Sequence, residues 1–314
     1  MQIEDDFNKK PLEVKYGLPP NVEFCKKCVI SNQRPSSTPE LANNIETTKK
    51  TINFDKNGVC DACNYANEKE NIDWEKRESE LKELLNKFRS RNDSYDVLVP
   101  GSGGKDSIYA SHILKYKYNM NPLTITWAPH LFTDIGFKNF QNWLHIGGFD
   151  NFLFTPDGIV HRKLTQLAFK NLLHPFQPFI IGQKYFVPKM AVKFNIPLVF
   201  YGENEAEYGN AKDENNSSTR NLEYFSRKLS DNKDIFLSGV PIAELSNYGI
   251  NRKALDPYLP MYEEDFLKND IQVHYLGYYK KWTPQEVYYY AVENSGFQAN
   301  DERTEGTYSK YISL

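Results

Sequence analysis

The stretch Tyr95-Asp-Val-Leu-Val-Pro-Gly-Ser-Gly-Gly-Lys-Asp-Ser107 determines the fold that the rest of the chain can adopt. Its apolar part, residues 96–99, predicts a short buried β-strand, because an apolar run bounded by turn residues is typical of one. The small residues 101–104 follow at once, and the apolar periodicity over 108–118 predicts a helix. A strand, a glycine turn and a helix N-terminus direct backbone N–H groups and partial positive charge to one point. The stretch therefore predicts an anion site.

The side chains of this turn favour phosphate as the anion. Ser102 and Ser107 can donate hydroxyl hydrogen bonds, and Lys105 brings a formal positive charge. The turn is not a Walker A loop, because the motif G-x-x-x-x-G-K-[ST] would need a glycine and a hydroxyl where Val99 and Asp106 stand. A phosphate-binding turn of another kind is predicted, and an ordinary strand-to-helix turn is the simpler alternative.

The residues that follow predict a doubly wound, mostly parallel sheet of the α/β class. Further strands are predicted over residues 122–127, 151–154 and 196–201, with helices over 137–146, 160–173 and from the stretch 174–183 towards Phe194. Ligands of such sheets lie beyond the carboxyl ends of the strands. Thr126 and Trp127 end the second strand, so we expect them beside the ligand. His130 and His174 are expected in loops at the same edge.

An acidic run follows the fourth predicted strand. Glu203, Glu205 and Glu207 stand at alternate positions there, and Glu203 and Glu207 are the favoured candidates. Mg²⁺ and a polar substrate both take oxygen ligands at this edge of a sheet, although a solvated acidic loop is the alternative. The polar residues 212–234 further predict a mobile lid or a disordered insert.

The cysteines predict a metal site near the N-terminus. They form two C-x-x-C pairs, Cys25 with Cys28 and Cys60 with Cys63. A reducing compartment disfavours disulfides, whereas paired C-x-x-C motifs suit a tetrahedral Cys₄ zinc site. Such a site is closed and therefore structural. Two redox pairs, or chance spacing, are the alternatives.

These elements divide the chain into three parts. Residues 1–66 are predicted to form an arm and the zinc module, 67–92 a connecting helix, and 93–314 the sheet domain. The formal charge of −3 gives no field that would hold a polyanion, so no nucleic acid is expected as a partner. No apolar run is long enough for a membrane span, and no apolar leader follows Met1, which predicts a cytoplasmic protein that binds no membrane.

The motif S-G-G-K-D-S at 102–107 resembles the PP-loop of the ATP pyrophosphatases, which cleave ATP to AMP and pyrophosphate. The resemblance implies ATP and Mg²⁺ as cofactors, with Lys105 and Asp106 as catalytic residues and Asp106 helping to hold the metal. The residues implied to bind the nucleotide are Gly101, Ser102, Gly103, Gly104, Lys105, Asp106, Ser107, Thr126 and Trp127. The loop over 127–136 is then expected to meet the adenosine half of ATP.

A longer set of stretches is similar to the N-acetyl sugar amidotransferases, which help make acetamidino sugars for lipopolysaccharide O-antigen and related surface glycans. The stretches are Cys25-Lys-Lys-Cys-Val-Ile-Ser-Asn-Gln-Arg-Pro35, Gly58-Val-Cys-Asp-Ala-Cys63, Val99-Pro-Gly-Ser-Gly-Gly-Lys-Asp-Ser107, His174-Pro-Phe-Gln-Pro-Phe179 and Tyr201-Gly-Glu-Asn-Glu-Ala-Glu-Tyr-Gly209. This resemblance implies an N-acetylated nucleotide sugar as substrate and a separate glutaminase subunit that supplies ammonia, whereas the catalytic roles of Glu203 and Glu207 are expected from their position after the fourth strand. A homo-oligomer is possible. Members of the family usually continue beyond Glu305-Gly-Thr-Tyr-Ser-Lys-Tyr311, so the resemblance implies a shortened C-terminal part.

Two other functions remain open at this point. A tRNA-thiolating enzyme can share S-G-G-K-D-S and zinc-binding cysteines, but such enzymes often need further cysteines and a basic surface. A nucleotide-binding zinc adaptor that has lost catalysis is the non-enzymatic alternative.

Overall fold

The computed structural model describes residues 18–34, 40–42, 44, 50–202, 217–220, 222–228, 235–303 and 310. Its strands are, in chain order, β1 (Val97–Pro100), β2 (Pro122–Trp127), β3 (Asn151–Phe154), β4 (Leu198–Tyr201), β5 (Ser226–Arg227), β6 (Phe236–Leu237), β7 (Val240–Pro241), β8 (Met261–Tyr262) and β9 (Gln272–Tyr275). The central sheet has the order β3-β2-β1-β4-β9, and each neighbouring pair in it is parallel. The predicted α/β class with a doubly wound parallel sheet is confirmed.

Helices cover both faces of this sheet. The α-helices of the described residues are α1 (Asp61–Glu68), α2 (Trp74–Phe88), α3 (Lys105–His112), α4 (Asp134–His145), α5 (Gly158–Leu172), α6 (Gln177–Phe194), α7 (Glu263–Lys268), α8 (Leu276–Tyr279) and α9 (Pro284–Ser295), of which α1 belongs to the cysteine module. Side chains of β1 point alternately to the two faces: Val97 and Val99 join the core under α2 and α3, and Leu98 joins the core under α5 and α6. All six residues of β2 are buried, as expected for a parallel strand covered on both faces.

Three turns explain where the predicted elements begin and end. Asp96 lies just before β1, and its carboxylate accepts the backbone N–H of Asn121, the residue before β2, at 2.7 Å. The helix predicted over 108–118 begins at Lys105 and continues past His112 as the π-helical turn Ile113–Lys117. The connecting helix predicted over 67–92 is interrupted, since α2 begins anew where the Asp73 carboxylate accepts the backbone N–H of Lys76 at 2.9 Å.

The segment predicted as a lid or disordered insert contains packed structure. Within it, residues 217–220 and 222–228 are described, and Phe225 is buried in the main core. The Phe225 ring stacks against Tyr201 at the end of β4, with 6.4 Å between centroids. Disorder is therefore wrong for 222–228, because one aromatic side chain supplies the burial that the polar composition does not show; the lid alternative stays a prediction.

The N-terminal part of the chain is joined to the sheet domain through a buried lysine. Lys69, which follows α1, donates from Nζ to the backbone carbonyl oxygen of Trp282 at 3.0 Å. The Trp282 ring in turn lies 3.1 Å from the point where a Cβ would stand on Gly202, directly after β4. In the described part of the chain, no helix is both long and apolar enough to cross a membrane.

Candidate functional site

The glycine turn at 101–104 lies at the point in the sheet where the order of the strands changes direction. The chain runs from β1 to β2 and β3 on one side, and β4 and β9 lie on the other side of β1. In open parallel sheets, ligands bind at this reversal, outside the carboxyl ends of the strands. The turn follows β1 directly and leads into α3, so the fold places the predicted anion site at the position where such sheets bind ligands.

Close packing requires glycine at two positions of the turn. A Cβ on Gly101 would lie 2.2 Å from Ser107 Cβ, which belongs to the first turn of α3. Gly103 has φ +88°, and a Cβ there would lie 2.6 Å from the Cα of Phe140 in α4. The backbone of the turn thus lies so close to α3 and α4 that a side chain at Gly101 or Gly103 would clash with them.

Helix α3 begins inside this turn. Gly104 is its N-cap residue, and the Ser107 hydroxyl donates to the Gly104 carbonyl oxygen at 2.9 Å. The first N–H groups of a helix have no acceptor within the helix, so they are available to an anion in front of it. Gly101 N–H, in contrast, donates to the carbonyl oxygen of Ile125 at 3.0 Å and ties the turn to β2.

Lys105 and Asp106 form a close ion pair at the start of α3. Lys105 is only 6% exposed, and its Nζ lies 2.6 Å and 2.7 Å from the two carboxylate oxygens of Asp106. Asp106 also faces the end of β4, because a Cβ on Gly202 would lie 3.2 Å from Asp106 Cβ. The pair offers a cation for phosphate and a carboxylate for a divalent metal at the same point.

The predicted acidic residues Glu203 and Glu207, with Glu205 between them, lie outside the described residues. They follow Gly202 directly in the sequence, and their roles stay predictions.

Thr126 and Trp127 both contribute to the protein core. Thr126 is fully buried, and its hydroxyl oxygen accepts a hydrogen bond from the Asn151 side-chain amide at 3.0 Å. Trp127 is 4% exposed and packs edge-on against Tyr258 and Phe186. Because both side chains are buried, any contact with a nucleotide would come from the backbone at this strand end. The predicted nucleotide-binding role of Thr126 and Trp127 stays a prediction.

A cavity of about 690 Å³ opens beside these strand ends. Its lining is mostly apolar and comes from the residues after β2 and β3, from one side of α5 and from the turn before α6. It consists of Ala128, Pro129, His130, Leu131, Thr155, Pro156, Gly158, His161, Arg162, Thr165, Gln166, Phe169 and Pro175. Concave, mostly apolar pockets with a few polar groups are typical small-molecule sites.

A chain of three hydrogen-bonding side chains supports one wall of this cavity. The Tyr258 hydroxyl lies 2.8 Å from His161 Nδ1, and His161 Nε2 lies 3.1 Å from His130 Nδ1. Burial, and secondly the nearby His130, lower the pKa of His161 to about 4, and burial also lowers the pKa of His130. Both imidazoles are therefore neutral at pH 7. Sequence reasoning missed His161 and Tyr258, because their contact joins residues far apart in the chain.

The four cysteines converge as predicted. Their sulfur atoms all lie within 4.8 Å of one another, with Cys25 Sγ to Cys63 Sγ at 4.0 Å and Cys28 Sγ to Cys60 Sγ at 3.6 Å. Four Zn–S bonds of about 2.3 Å in a tetrahedron place neighbouring sulfurs about 3.8 Å apart. The donor set and its spacing fit a zinc ion.

Backbone N–H groups around Cys25 favour its thiolate. Burial alone would raise the pKa of the Cys25 thiol, but N–H donors, among them Cys60 at 3.3 Å and Lys27 at 3.4 Å, outweigh it and lower the pKa to about 6. Burial raises the pKa of Cys60 and Cys63 in the metal-free protein. A bound cation would offset the cost of ionising these buried thiols, since metal binding requires and stabilises thiolates.

Zinc analysis tests the predicted metal site directly. Purified protein should contain about one zinc per chain, because four thiolates complete its tetrahedral coordination. Replacing Cys60 with serine should abolish zinc retention and lower the melting temperature, whereas Ser31→Ala in the same module should retain the metal. Wild-type protein that contains no zinc and does not gain stability when zinc is added would contradict the site.

Comparisons with known proteins show limited similarity. No protein-family profile matches the chain. A stretch of 78 residues, 25% of this chain, is 35% identical to uncharacterized protein MJ1599 of Methanocaldococcus jannaschii and spans 28% of that relative's length.

Solved structures with a similar arrangement include NH3-dependent NAD synthetase from Campylobacter jejuni, with 15% identity and a TM-score of 0.34 over 44% of this chain and 59% of that one. NMN synthetase from Francisella tularensis has 10% identity and a TM-score of 0.33 over 74% and 99% of the two chains. A predicted subunit of tRNA methyltransferase from Methanocaldococcus jannaschii has 15% identity and a TM-score of 0.32, over 63% of this chain and 75% of that one. Similarities of this size do not identify a function.

Proposed function

We propose that this chain is an ATP-dependent, AMP-forming amidotransferase that converts the N-acetyl group of a nucleotide-linked sugar into an acetamidine. The observation that carries the ATP part is the S-G-G-K-D-S turn at the reversal of the sheet. Its glycines are held against α3 and α4, and Lys105 and Asp106 stand together at the helix start. The turn would bind the pyrophosphate portion of ATP, with Asp106 helping to hold Mg²⁺.

The cavity beside β2 and β3 supports a place for the adenosine half of ATP. It lies at the same edge of the sheet as the glycine turn, since Ala128 follows β2 and Thr155 follows β3. Its apolar walls and the fixed, neutral His130 ring suit a flat heteroaromatic base. In this arrangement the phosphates would extend from the cavity to Lys105.

The chemistry follows from the poor reactivity of an acetamide. Its carbonyl oxygen is a poor leaving group, so ammonia does not displace it. When that oxygen attacks the α-phosphorus of ATP, pyrophosphate leaves and the oxygen becomes part of a good leaving group. Lys105 offsets the charge that develops on pyrophosphate, and Mg²⁺, when bound, adds positive charge there. Ammonia then adds to the activated carbon, and AMP departs with the former carbonyl oxygen.

The N-acetylated sugar as acceptor is supported by the resemblance of five stretches to the N-acetyl sugar amidotransferases. The test is AMP release from ATP and Mg²⁺ by purified protein with ammonium and a series of N-acetylated nucleotide sugars. AMP formed only when such a sugar is present supports the proposal. AMP formed with unmodified tRNA and a sulfur donor, but with no sugar, would favour a tRNA-thiolating enzyme instead.

A separate protein is proposed to generate the ammonia. Glutaminases usually attack the glutamine amide with an activated cysteine. All four cysteines of this chain lie in the sulfur cluster described above. We therefore expect no glutamate release when the purified chain is incubated with glutamine alone.

High ammonium at alkaline pH should support the amidotransferase reaction without glutamine, because more ammonia is then unprotonated. The addition of a glutaminase subunit of the histidine-biosynthesis type should make glutamine an effective donor. Steady glutamate production by the chain alone would refute this two-protein scheme.

A further inference from the structure

A small hydrophobic core, separate from the two larger ones, lies beneath the glycine turn. Its buried members come from α3, α4 and α9 and from the residues that follow α4 and α9; they are Ile108, Phe140, Trp143, Phe149, Ala291 and Phe297. The turn rests directly on this core. A Cβ on Gly101 would lie 3.0 Å from the Trp143 ring, and one on Gly103 would lie 2.6 Å from the Cα of Phe140. The position of the turn therefore depends on how α4 is held.

Two asparagines of α4 hold the chain segment that follows α9, residues 296–298. The Asn139 side chain is only 4% exposed. Its Oδ1 accepts the backbone N–H of Gln298 at 2.8 Å, and its Nδ2 donates to the Gln298 carbonyl oxygen at 2.8 Å. One side-chain amide thus pairs with both polar backbone groups of one residue. Asn142, one turn later in α4, donates to the Gly296 carbonyl oxygen at 2.8 Å.

The same part of α4 touches the glycine turn. A Cβ on Gly103 would lie 3.0 Å from the carbonyl carbon of Asn139 and 2.7 Å from the backbone nitrogen of Phe140. The backbone at Asn139 therefore supports the turn, while its side chain holds the 296–298 segment. Phe297 is 3% exposed and packs in the small core with residues of α3 and α4. Because close-packed interiors transmit displacements, a shift of this segment would move the turn.

We infer that Asn139 is a positioning residue that couples the docking of the 296–298 segment to phosphate binding at the glycine turn. The inference rests on the proposed function for the source of the phosphate, and it deepens that function by naming what regulates the affinity of the site. Coupling of this kind is reciprocal. The docked segment holds the first N–H groups of α3 in place for phosphate, and bound phosphate favours the docked segment.

Calorimetry with pyrophosphate and Mg²⁺ tests the coupling without turnover. Asn139→Ala removes the partner of both backbone groups of Gln298, so it should weaken pyrophosphate binding by about tenfold. Binding of α,β-methylene ATP should weaken in the same direction. Adenosine alone should bind as it does to the wild type, because its proposed place is the cavity beside β2 and β3. Asn171→Ala is the matched control, since it removes an asparagine hydrogen bond from α5 to the Ser238 carbonyl oxygen at 3.0 Å.

A second pair of variants tests the same contact from the other side. Gln298→Pro removes the N–H that Asn139 accepts and should weaken pyrophosphate binding as Asn139→Ala does. The double variant should lose less affinity than the two losses added together, because both changes remove the same hydrogen bond. Gln298→Ala should bind like the wild type, since it keeps the backbone groups and loses only an exposed side chain.

Hydrogen exchange measures the coupling without any assumption about ATP. In the absence of ligand, the amides of α3 should exchange faster in Asn139→Ala than in the wild type, whereas those of α5 should not change. Pyrophosphate should slow exchange of the Gln298 amide in the wild type. Unchanged exchange in α3 together with unchanged pyrophosphate affinity in folded Asn139→Ala would overturn the inference. Equal weakening of adenosine and pyrophosphate would also overturn it, because that result indicates a purely structural role.

The two proposals fail in distinguishable ways. If variants at Asn139 and Gln298 all bind pyrophosphate like the wild type, only the coupling fails. If the wild type binds pyrophosphate but no sugar supports AMP formation, only the proposed function fails. A wild-type chain that binds neither pyrophosphate nor the ATP analogue overturns both. Melting temperatures identify a variant that does not fold, and Gln298→Pro compared with Gln298→Ala then decides, because this pair leaves α4 unchanged.

Discussion

Replacement of Lys105 by alanine should lower the rate of AMP formation by about 100- to 1,000-fold, the usual loss for one preorganised electrostatic contact in an active site. Lys105 stands at the N-terminus of α3 and is paired with Asp106 at 2.6 Å, so its position is set before ATP arrives. Because the lysine stabilises charge that develops on leaving pyrophosphate, the loss should appear mainly in kcat. Asp106→Ala should cause a comparable loss and should raise the Mg²⁺ concentration needed for half-maximal rate.

Lys268→Ala is the matched control, since this lysine lies in the last turn of α7 and is exposed. It should keep the wild-type rate, and all three variants should have circular dichroism spectra of the folded protein. Near-normal activity in Lys105→Ala would rule out a role for this residue at the phosphates.

Gly101→Ala should abolish binding of ATP and of its analogues. The new methyl group would stand 2.2 Å from Ser107 Cβ, 2.5 Å from Ser107 Oγ and 3.0 Å from the Trp143 ring. The turn or the first turn of α3 must therefore move, which displaces the N–H groups that would face the phosphates. Overpacking of this kind also costs about 1–3 kcal/mol of stability.

Ser107→Ala provides the comparison for this variant, because it removes only the hydroxyl that donates to the Gly104 carbonyl oxygen and leaves the shape of the turn intact. It should bind ATP analogues more weakly than the wild type but measurably. If Gly101→Ala bound an ATP analogue as tightly as the wild type, the glycine turn would not be the phosphate site.

The sequence was sufficient to predict the elements in which each signal is local. The strands β2 and β3 lie where the apolar runs place them, and the turn at 101–104 follows β1 and leads into α3. The C-x-x-C pairs likewise predicted that the sulfur atoms converge. In each case the chemistry and the spacing are contained in a few neighbouring residues.

Contacts between distant residues could not be predicted in this way. The fifth strand of the sheet, β9, is only four residues long, and it is a strand because β4 pairs with it along its whole length. His161 meets Tyr258, and Lys184 meets Tyr224, only after the chain has folded. The polar composition around Phe225 likewise hides a residue that the core of the sheet domain buries.

The fate of the acetamide oxygen tests the central claim most directly. An N-acetylated nucleotide sugar with ¹⁸O in its acetyl carbonyl should be incubated with the purified chain, ATP, Mg²⁺ and ammonium, and the AMP examined by mass spectrometry. Adenylylation of the carbonyl oxygen predicts one ¹⁸O atom in the phosphate of each AMP and none in pyrophosphate. Unlabelled AMP, or ADP and phosphate in place of AMP and pyrophosphate, would contradict the account.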